Sequence, residues 1–298
     1  MLANQNLSRA RLLGKHRWPK AYLCRTVTND LKPLQQFDVR NKVITVTGGA
    51  RGLGLEMATQ LSEAGAHVYC LDRLDHPQPE VPFSQIRDSS LGGSLHYKKV
   101  DVVDAQSVNK VISSIAEHHE RLDGLVAAAG ITRAEAALKH SPEDLETVMN
   151  VNFSGAFNSA TATARQMLKF KTSGSILLVA SISGFIANKG IFSPVYNASK
   201  AAVIQLGRNL AQEWGPVHAD GSGGIRVNSL CPGHVYTPMA NRTMQDNPGA
   251  KEVWEQENML GRIAKPQEFR GVALFLMSNA SSFMTGSTVV VDGGHTAW

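Results

Sequence analysis

Tyr196 and Lys200 stand four residues apart in Tyr196-Asn197-Ala198-Ser199-Lys200. On a helix that spacing puts the phenol and the ammonium on one face. A free tyrosine, with a pKa near ~10, is a poor proton carrier at neutral pH. A neighbouring cation stabilises the phenolate and is expected to lower that pKa. Such a pair can take a proton from a hydroxyl group or return one to a carbonyl. Tyr-x-x-x-Lys alone is common on ordinary helices, so the residues around it must carry the argument.

Upstream, the apolar run Ser175–Ala180 ends at Ser181-Ile182-Ser183-Gly184. This places a hydroxyl at the C-terminal edge of a sheet, where ligands bind in open α/β folds. Asn152 lies in Asn150-Val151-Asn152-Phe153, inside a helical stretch, where a short amide side chain is neutral to unfavourable. It is either a functional group or a buried residue capping a local bend.

A second constellation begins near the start of the fold. The strand-like run Val43–Thr47 passes directly into Thr47-Gly48-Gly49-Ala50-Arg51-Gly52-Leu53-Gly54 and then a helix. Glycines let the backbone turn sharply and approach a pyrophosphate, and the helix N-terminus offers free N–H groups. Strand before and helix after satisfy the context that separates a dinucleotide loop from an ordinary glycine turn. Asp72, at the end of the next strand, stands where an acid binds the adenosine ribose hydroxyls, which favours NAD. Arg51 and Arg73 could neutralise a 2′-phosphate, which favours NADP. The carboxylate holds the more decisive position, so NAD is taken first and NADP is retained. The positive charge of an oxidised nicotinamide would help Lys200 hold the Tyr196 phenolate.

The elements that must position these groups follow from the hydropathy pattern. Seven short apolar runs appear, at Val43–Thr47, His67–Leu71, Leu95–Val100, Gly124–Ala128, Ser175–Ala180, Ile225–Leu230 and Thr288–Val291. Helix-length stretches separate them, including Gly52–Ala64, Asp144–Phe170 and Pro194–Trp214. Strands alternating with helices predict a single doubly wound Rossmann-type α/β domain. Its parallel sheet of about seven strands has helices on both faces, from residue 38 to 298. Residues 74–94, with Pro77, Pro79, Pro82 and Gly92-Gly93, are expected to form a surface loop.

Composition narrows the classes. Six of the 30 basic residues lie within residues 1–29, which hold no acid, so the remainder is close to neutral despite the net charge of +5. Without a basic stripe interleaved with aromatics, nucleic acid is not an expected partner. No apolar stretch reaches the ~18 residues of a membrane span. Cys24, Cys70 and Cys231 form neither a metal spacing nor a disulfide framework, which fits a reducing compartment. The basic extension 1–37 reads either as a mitochondrial transit peptide or as a disordered arm, giving a mitochondrial-matrix or cytoplasmic location. Trp18-Pro19 interrupts an amphipathic helix there.

Over residues 40–298 the chain resembles the short-chain dehydrogenase/reductases. The resemblance rests on Thr47–Gly54, Asp101-Val102, Ala127–Gly130, Asn152, Ser181, Tyr196/Lys200 and Pro232-Gly233-His234-Val235-Tyr236-Thr237. It implies that Tyr196 is the acid/base, that Lys200 binds the nicotinamide ribose, that Ser181 bonds the substrate oxygen and that Asn152 holds a relay water. It further implies that Asp101 and Val102 line the adenine site, while Pro232, Gly233, Val235 and Thr237 meet the nicotinamide amide and a phosphate. A homotetramer is common in the family. Two departures stand out. Ala127-Ala128-Ala129-Gly130 replaces the usual Asn-Asn-Ala-Gly, keeping the small Ala129 and Gly130 for cofactor approach. The Ser181–Tyr196 separation is two residues longer than usual, whereas Ser183 would match it. The Ser-x-Ser-Gly pattern is similar to the fungal-type mannitol, arabinitol and xylulose reductase branch, which points to Ser181.

The loop Phe185–Val195 and the segment Pro238–Leu260 are expected to close over the substrate. They carry Asn188, Lys189, Asn241, Arg242, Gln245, Asp246, Trp254 and Gln256, a mixture suited to a polyol or sugar ketose. A ketoreductase for a less polar carbonyl and a non-catalytic, cofactor-binding regulator are the alternatives.

Overall fold

A computed structural model of the protein describes residues 33–77 and 91–298. The leader expected at 1–37 therefore lies, up to residue 32, outside the described residues, as do Pro79 and Pro82. Seven parallel strands form one sheet: β1 (Val43–Thr47), β2 (His67–Asp72), β3 (Ser94–Lys99), β4 (Gly124–Ala127), β5 (Ser175–Val179), β6 (Arg226–Pro232) and β7 (Thr288–Val291). Their order is β3-β2-β1-β4-β5-β6-β7. In β1, Val46 lies opposite Cys70 on one side and Val126 on the other. The chain thus leaves β1 in opposite directions, and the crevice beyond the ends of β1 and β4 is the switch point where α/β sheets bind ligands.

Alternation along the strands explains the layers. Ile44, Val46, Val126, Leu177 and Val179 pack with helix α1 (Gly52–Glu63) and α8 (Arg270–Met277) on one face. Leu125, Ala127, Ile176 and Leu178 face α4 (Gly155–Lys169) and α5 (Pro194–Trp214) on the other. Helix α2 (Ala105–His119) completes that second face over Val43 and Leu71. Central strands buried on both sides read as continuous apolar runs, which is why they were visible.

The expected helix Asp144–Phe170 has more structure than its pattern suggests. It starts at Pro142, because Ser141 Oγ accepts a hydrogen bond from Asp144 N at 3.1 Å. Helix α3 (Pro142–Met149) then runs through a π-helical turn, Asn150–Ser154, into α4. Two short helices that apolar periodicity does not reveal, α6 (Pro238–Asp246) and α7 (Ala250–Glu257), follow β6.

Candidate active site

The phosphate loop joins β1 to α1 and lies on the β4 end. Gly48 has φ +68, and a Cβ there would meet the Ala129 nitrogen at 2.7 Å and the Ala128 carbonyl carbon at 2.8 Å. Only glycine satisfies both the left-handed backbone and this approach. Arg51, the N-cap of α1, makes no side-chain cap, so among the described residues the first-turn N–H groups of this helix are left without a capping side chain. Gly52 faces Thr237 and Pro238 at 3.6–3.7 Å for a built Cβ. This cradle of glycines fits a pyrophosphate. Thr47, Leu53 and Gly54 complete the loop, with Thr47 buried.

Asp72 ends β2, with one carboxylate oxygen accepting from Ala50 N and the other from Leu74 N, both at 3.2 Å. Its carboxylate is therefore fixed at the rim of the glycine loop. Arg51 and Arg73 are exposed beside it. Asp101 is exposed with its Oδ1 taking Val103 N at 3.0 Å, while Val102 is buried and in the path of any side chain at Gly155.

The remaining predicted residues converge around the start of α5. Lys200 is buried and its Nζ donates to the Val179 carbonyl at 2.9 Å. The same ammonium stands 5.7 Å from the centre of the Tyr196 ring. A Cβ built on Gly130 would lie 3.3 Å from Asn152 Oδ1 and 3.4 Å from Lys200 Nζ. Gly130 is thus the space that lets the 127–130 turn meet both groups.

Asn152 is buried in the π-helical turn, whose unusual i→i+5 pairing reorients its side chain. Its Oδ1 accepts from Ile131 N at 2.8 Å, and its Nδ2 donates to Ile131 O at 3.0 Å and Ser199 Oγ at 2.9 Å. Ser199 Oγ in turn donates to the Tyr196 carbonyl at 2.7 Å. Both amide hydrogens of Asn152 are spent, so its side chain braces the turn after β4 against α5. Ser199 stood inside the Tyr–Lys motif, but nothing in its spacing marked it as the link.

The two candidate serines separate cleanly. Ser181, at the end of β5, accepts from Ser183 N at 3.1 Å, and its side chain lies beside the Tyr196 phenol and favours the ionised form. Ser183 Oγ instead accepts from Asn188 Nδ2 at 2.8 Å. The longer loop that disturbed the spacing is therefore tied down by Ser183, and Ser181 faces the phenol.

One expectation is corrected in sign. Burial pushes the Tyr196 phenol above its ordinary value, with the neighbouring Ser181 side chain opposing that rise. Desolvation also pulls Lys200 down, to about 8. The ammonium is engaged by Val179 O and sits against the ring, so desolvation outweighs it at the hydroxyl. Burial holds the neighbouring Cys231 thiol up at about 11, leaving it neutral. Cys231, immediately before Pro232, carried no sequence signal of this proximity.

The expected polar lid also differs. Trp254 is 3% exposed and stacks on His234 with ring centroids 4.1 Å apart. Asn241, Arg242, Gln245, Asp246 and Gln256 are exposed, and Arg242 lies over Asp246 at 3.8 Å along the same helix. Lys189 pairs with Glu257 at 2.9 Å. Of the expected polar residues, Asn188 and Lys189 line a cavity beside the loop, whereas those of the 238–260 segment do not. That cavity, of about 700 Å³, is lined further by Ala136, Ala137, Ile191, Phe192 and Asn197, among others. Pro232 and Val235 are buried at the end of β6, and Thr237 Oγ1 caps α6 by accepting from Ala240 N at 3.2 Å.

A glycine loop at the switch point and a Ser–Tyr–Lys cluster at the end of β5 define a nicotinamide-type redox cleft. The chain belongs to the short-chain dehydrogenase/reductase family and is an oxidoreductase. A family model described as enoyl-(acyl carrier protein) reductase matches residues 48–296. Short chain dehydrogenases/reductase notP′ of Aspergillus versicolor is 38% identical, the match spanning 89% of this chain and 90% of that protein. D-arabinitol 2-dehydrogenase [ribulose-forming] of Scheffersomyces stipitis is 34% identical over 88% of this chain and 96% of its own. A gluconate 5-dehydrogenase from Burkholderia cenocepacia, solved with NADP and tartrate, superposes with a TM-score of 0.79 at 30% identity, covering 90% of this chain and all of that one. No helix among the described residues is long and apolar enough to cross a membrane.

Proposed function

We propose that this protein interconverts a secondary alcohol and its ketone, with a polyol or sugar ketose as substrate. The observation that carries the chemistry is the placing of Ser181, at the end of β5, beside the Tyr196 phenol, with Lys200 Nζ 5.7 Å from the centre of the same ring. Ser181 and Tyr196 present two hydroxyls to one substrate oxygen, so that oxygen is oriented as its proton moves to or from Tyr196. Lys200 opposes the cost of the phenolate, and Asn152, through Ser199, fixes the turn that carries Tyr196. Bound nicotinamide would supply or accept the hydride. Thr47, Gly48, Arg51, Gly52, Leu53 and Gly54 would hold its phosphates. Asp72, Asp101 and Val102 would face the adenosine, and Ala129, Gly130, Lys200, Pro232, Gly233, Val235 and Thr237 the nicotinamide half.

The substrate class is supported by the likeness to D-arabinitol 2-dehydrogenase and by the Ser-x-Ser-Gly loop. The test is a change in nicotinamide fluorescence with arabinitol, mannitol, xylitol and xylulose. Turnover of aryl or acyl ketones with silence across that panel would replace the polyol reading. The apolar lining of Ala136, Ala137, Ile191 and Phe192 is the observation that favours this second reading. The working assembly is a homotetramer, and the working compartment is the cytoplasm or the mitochondrial matrix.

Two substitutions probe the site further. Ser181→Ala should lower kcat by about 10²-fold, the lower end for a positioned proton-transfer partner, whereas Ser183→Ala should leave kcat within about threefold. Equal losses in steady-state kinetics would contradict the division of roles between the serines. The fixed Asp72 carboxylate supports NAD as the preferred cofactor, with NADP accepted through Arg51 and Arg73. Asp72→Ser should therefore improve kcat/KM for NADP by about tenfold and weaken NAD, as expected from removing about one repulsive charge contact.

A further inference from the structure

The last five residues, Gly294–Trp298, have no part in the proton or hydride chemistry, yet their polar contacts converge on one place. His295 Nδ1 bonds Asn258 Oδ1 at 2.8 Å, and Trp298 Nε1 donates to the Glu257 carbonyl at 2.7 Å. Leu260 N donates to the Gly293 carbonyl at 3.1 Å. The turn that launches this segment is itself held by Asp292. Its carboxylate takes Gly294 N at 2.9 Å, Thr296 N at 2.8 Å and Thr296 Oγ1 at 2.7 Å. The C-terminal tail is thus anchored at β7 and fastened to the end of α7.

Helix α7 meets the loop before Tyr196 on another side. Lys189 pairs with Glu257, Val253 lies against Gly190, and Ile191 packs on the cluster of Ala250, Trp254 and Ile263. Beneath it, Trp254 stacks on His234, two residues beyond Pro232, and His295 packs edge-on to His234 at 4.9 Å between centroids. Trp254 Nε1 and His234 Nδ1 are buried without hydrogen-bond partners among the described residues. Ring stacking alone therefore fixes that contact, and stacking tolerates sliding. The hydrogen bonds that hold the C-terminal end of α7 come from His295, Trp298 and Lys189, while Tyr236 OH donates to Glu255 Oε1 at 3.4 Å further along the helix.

We propose that Gly294–Trp298 is a strap, and that His295 and Trp298 are positioning residues that set the position of α7 over the substrate side of the cleft. The proposal rests on reading the Ser181–Tyr196 cleft as the active site. It predicts that strap variants alter substrate affinity more than cofactor affinity, because the phosphate loop and Asp72 lie elsewhere in the fold and the strap reaches the nicotinamide side only through His234.

The test uses hydrogen exchange on the full chain, NADH binding, and kinetics with D-arabinitol. His295→Ala should speed amide exchange across residues 254–260 by about fivefold, the equivalent of one lost hydrogen bond. KM should rise by about the same factor, with kcat and the NADH Kd changed by less than about twofold. His295→Asn, whose amide can occupy the Nδ1 position, should restore both exchange and KM. Trp298→Phe, a change at an exposed ring that preserves packing, should reproduce a weaker version. Unchanged exchange over 254–260 in His295→Ala and Trp298→Phe would overturn the strap, as would an equal loss of NADH binding. If the wild type fails to oxidise D-arabinitol, the substrate reading fails, while exchange and NADH binding still decide the strap.

Discussion

Tyr196→Phe is expected to lower kcat about 10³-fold in both directions while leaving cofactor binding intact. The phenylalanine ring keeps the packing against Lys200 and the helix keeps its first turn, since Ser199 bonds the residue 196 carbonyl and not its side chain. Only the hydroxyl beside Ser181 disappears. The measurement is single-turnover hydride transfer alongside NADH fluorescence titration. Undiminished transfer would remove Tyr196 from the acid/base role.

Lys200→Met should cost about 10²-fold in kcat and should also weaken cofactor binding, which separates it from Tyr196→Phe. Methionine fills most of the same volume, but the Val179 carbonyl loses its donor and the phenol its cation. The pH dependence follows from the two shifts. Alcohol oxidation needs the phenolate, and burial holds Tyr196 protonated above its ordinary value, so oxidation should climb with pH. Carbonyl reduction needs the phenol and should fall as pH rises. Lys200, pulled down to about 8, stabilises the phenolate only while it is charged. The advantage of wild type over Lys200→Met in oxidation should therefore be largest below about pH 8 and narrow above it. Initial rates in both directions from about pH 6 to about pH 10 test this. Parallel slopes for oxidation and reduction would refute a single shared acid/base.

Much of this was legible from the chain because the informative features are local. The central strands are continuous apolar runs, the glycine loop sits between a strand and a helix, and Tyr196 and Lys200 share one helical face. The π-helical turn was not legible, because Asn150–Ser154 reads as ordinary helix until its i→i+5 pairing is seen. The burial of Trp254 was not legible for a similar reason. Trp254 sits among polar neighbours in sequence, and only the distant His234 explains its burial. The choice between Ser181 and Ser183 depended on Asn188, whose partner cannot be inferred from spacing. The direction of the Tyr196 shift depended on desolvation, a property of the whole packed site.

The strand order carries a consequence for how the molecule is made. The cleft is assembled from segments distant along the chain: Gly48 rests on Ala128 and Ala129, Gly52 faces Thr237, and Gly233 N bonds the carbonyl of Val291 on the last strand. Such parallel, non-local pairings are slow to form, and loop-closure entropy opposes them until late in folding. A growing polypeptide therefore presents its glycine loop long before the opposite wall exists. Nucleotide cofactor recognises the finished fold, and by mass action it should stabilise that fold by about 2.7 kcal/mol at a hundredfold excess over its Kd. Cofactor supply in the compartment would then influence how much of the enzyme survives quality control, as well as how fast it turns over.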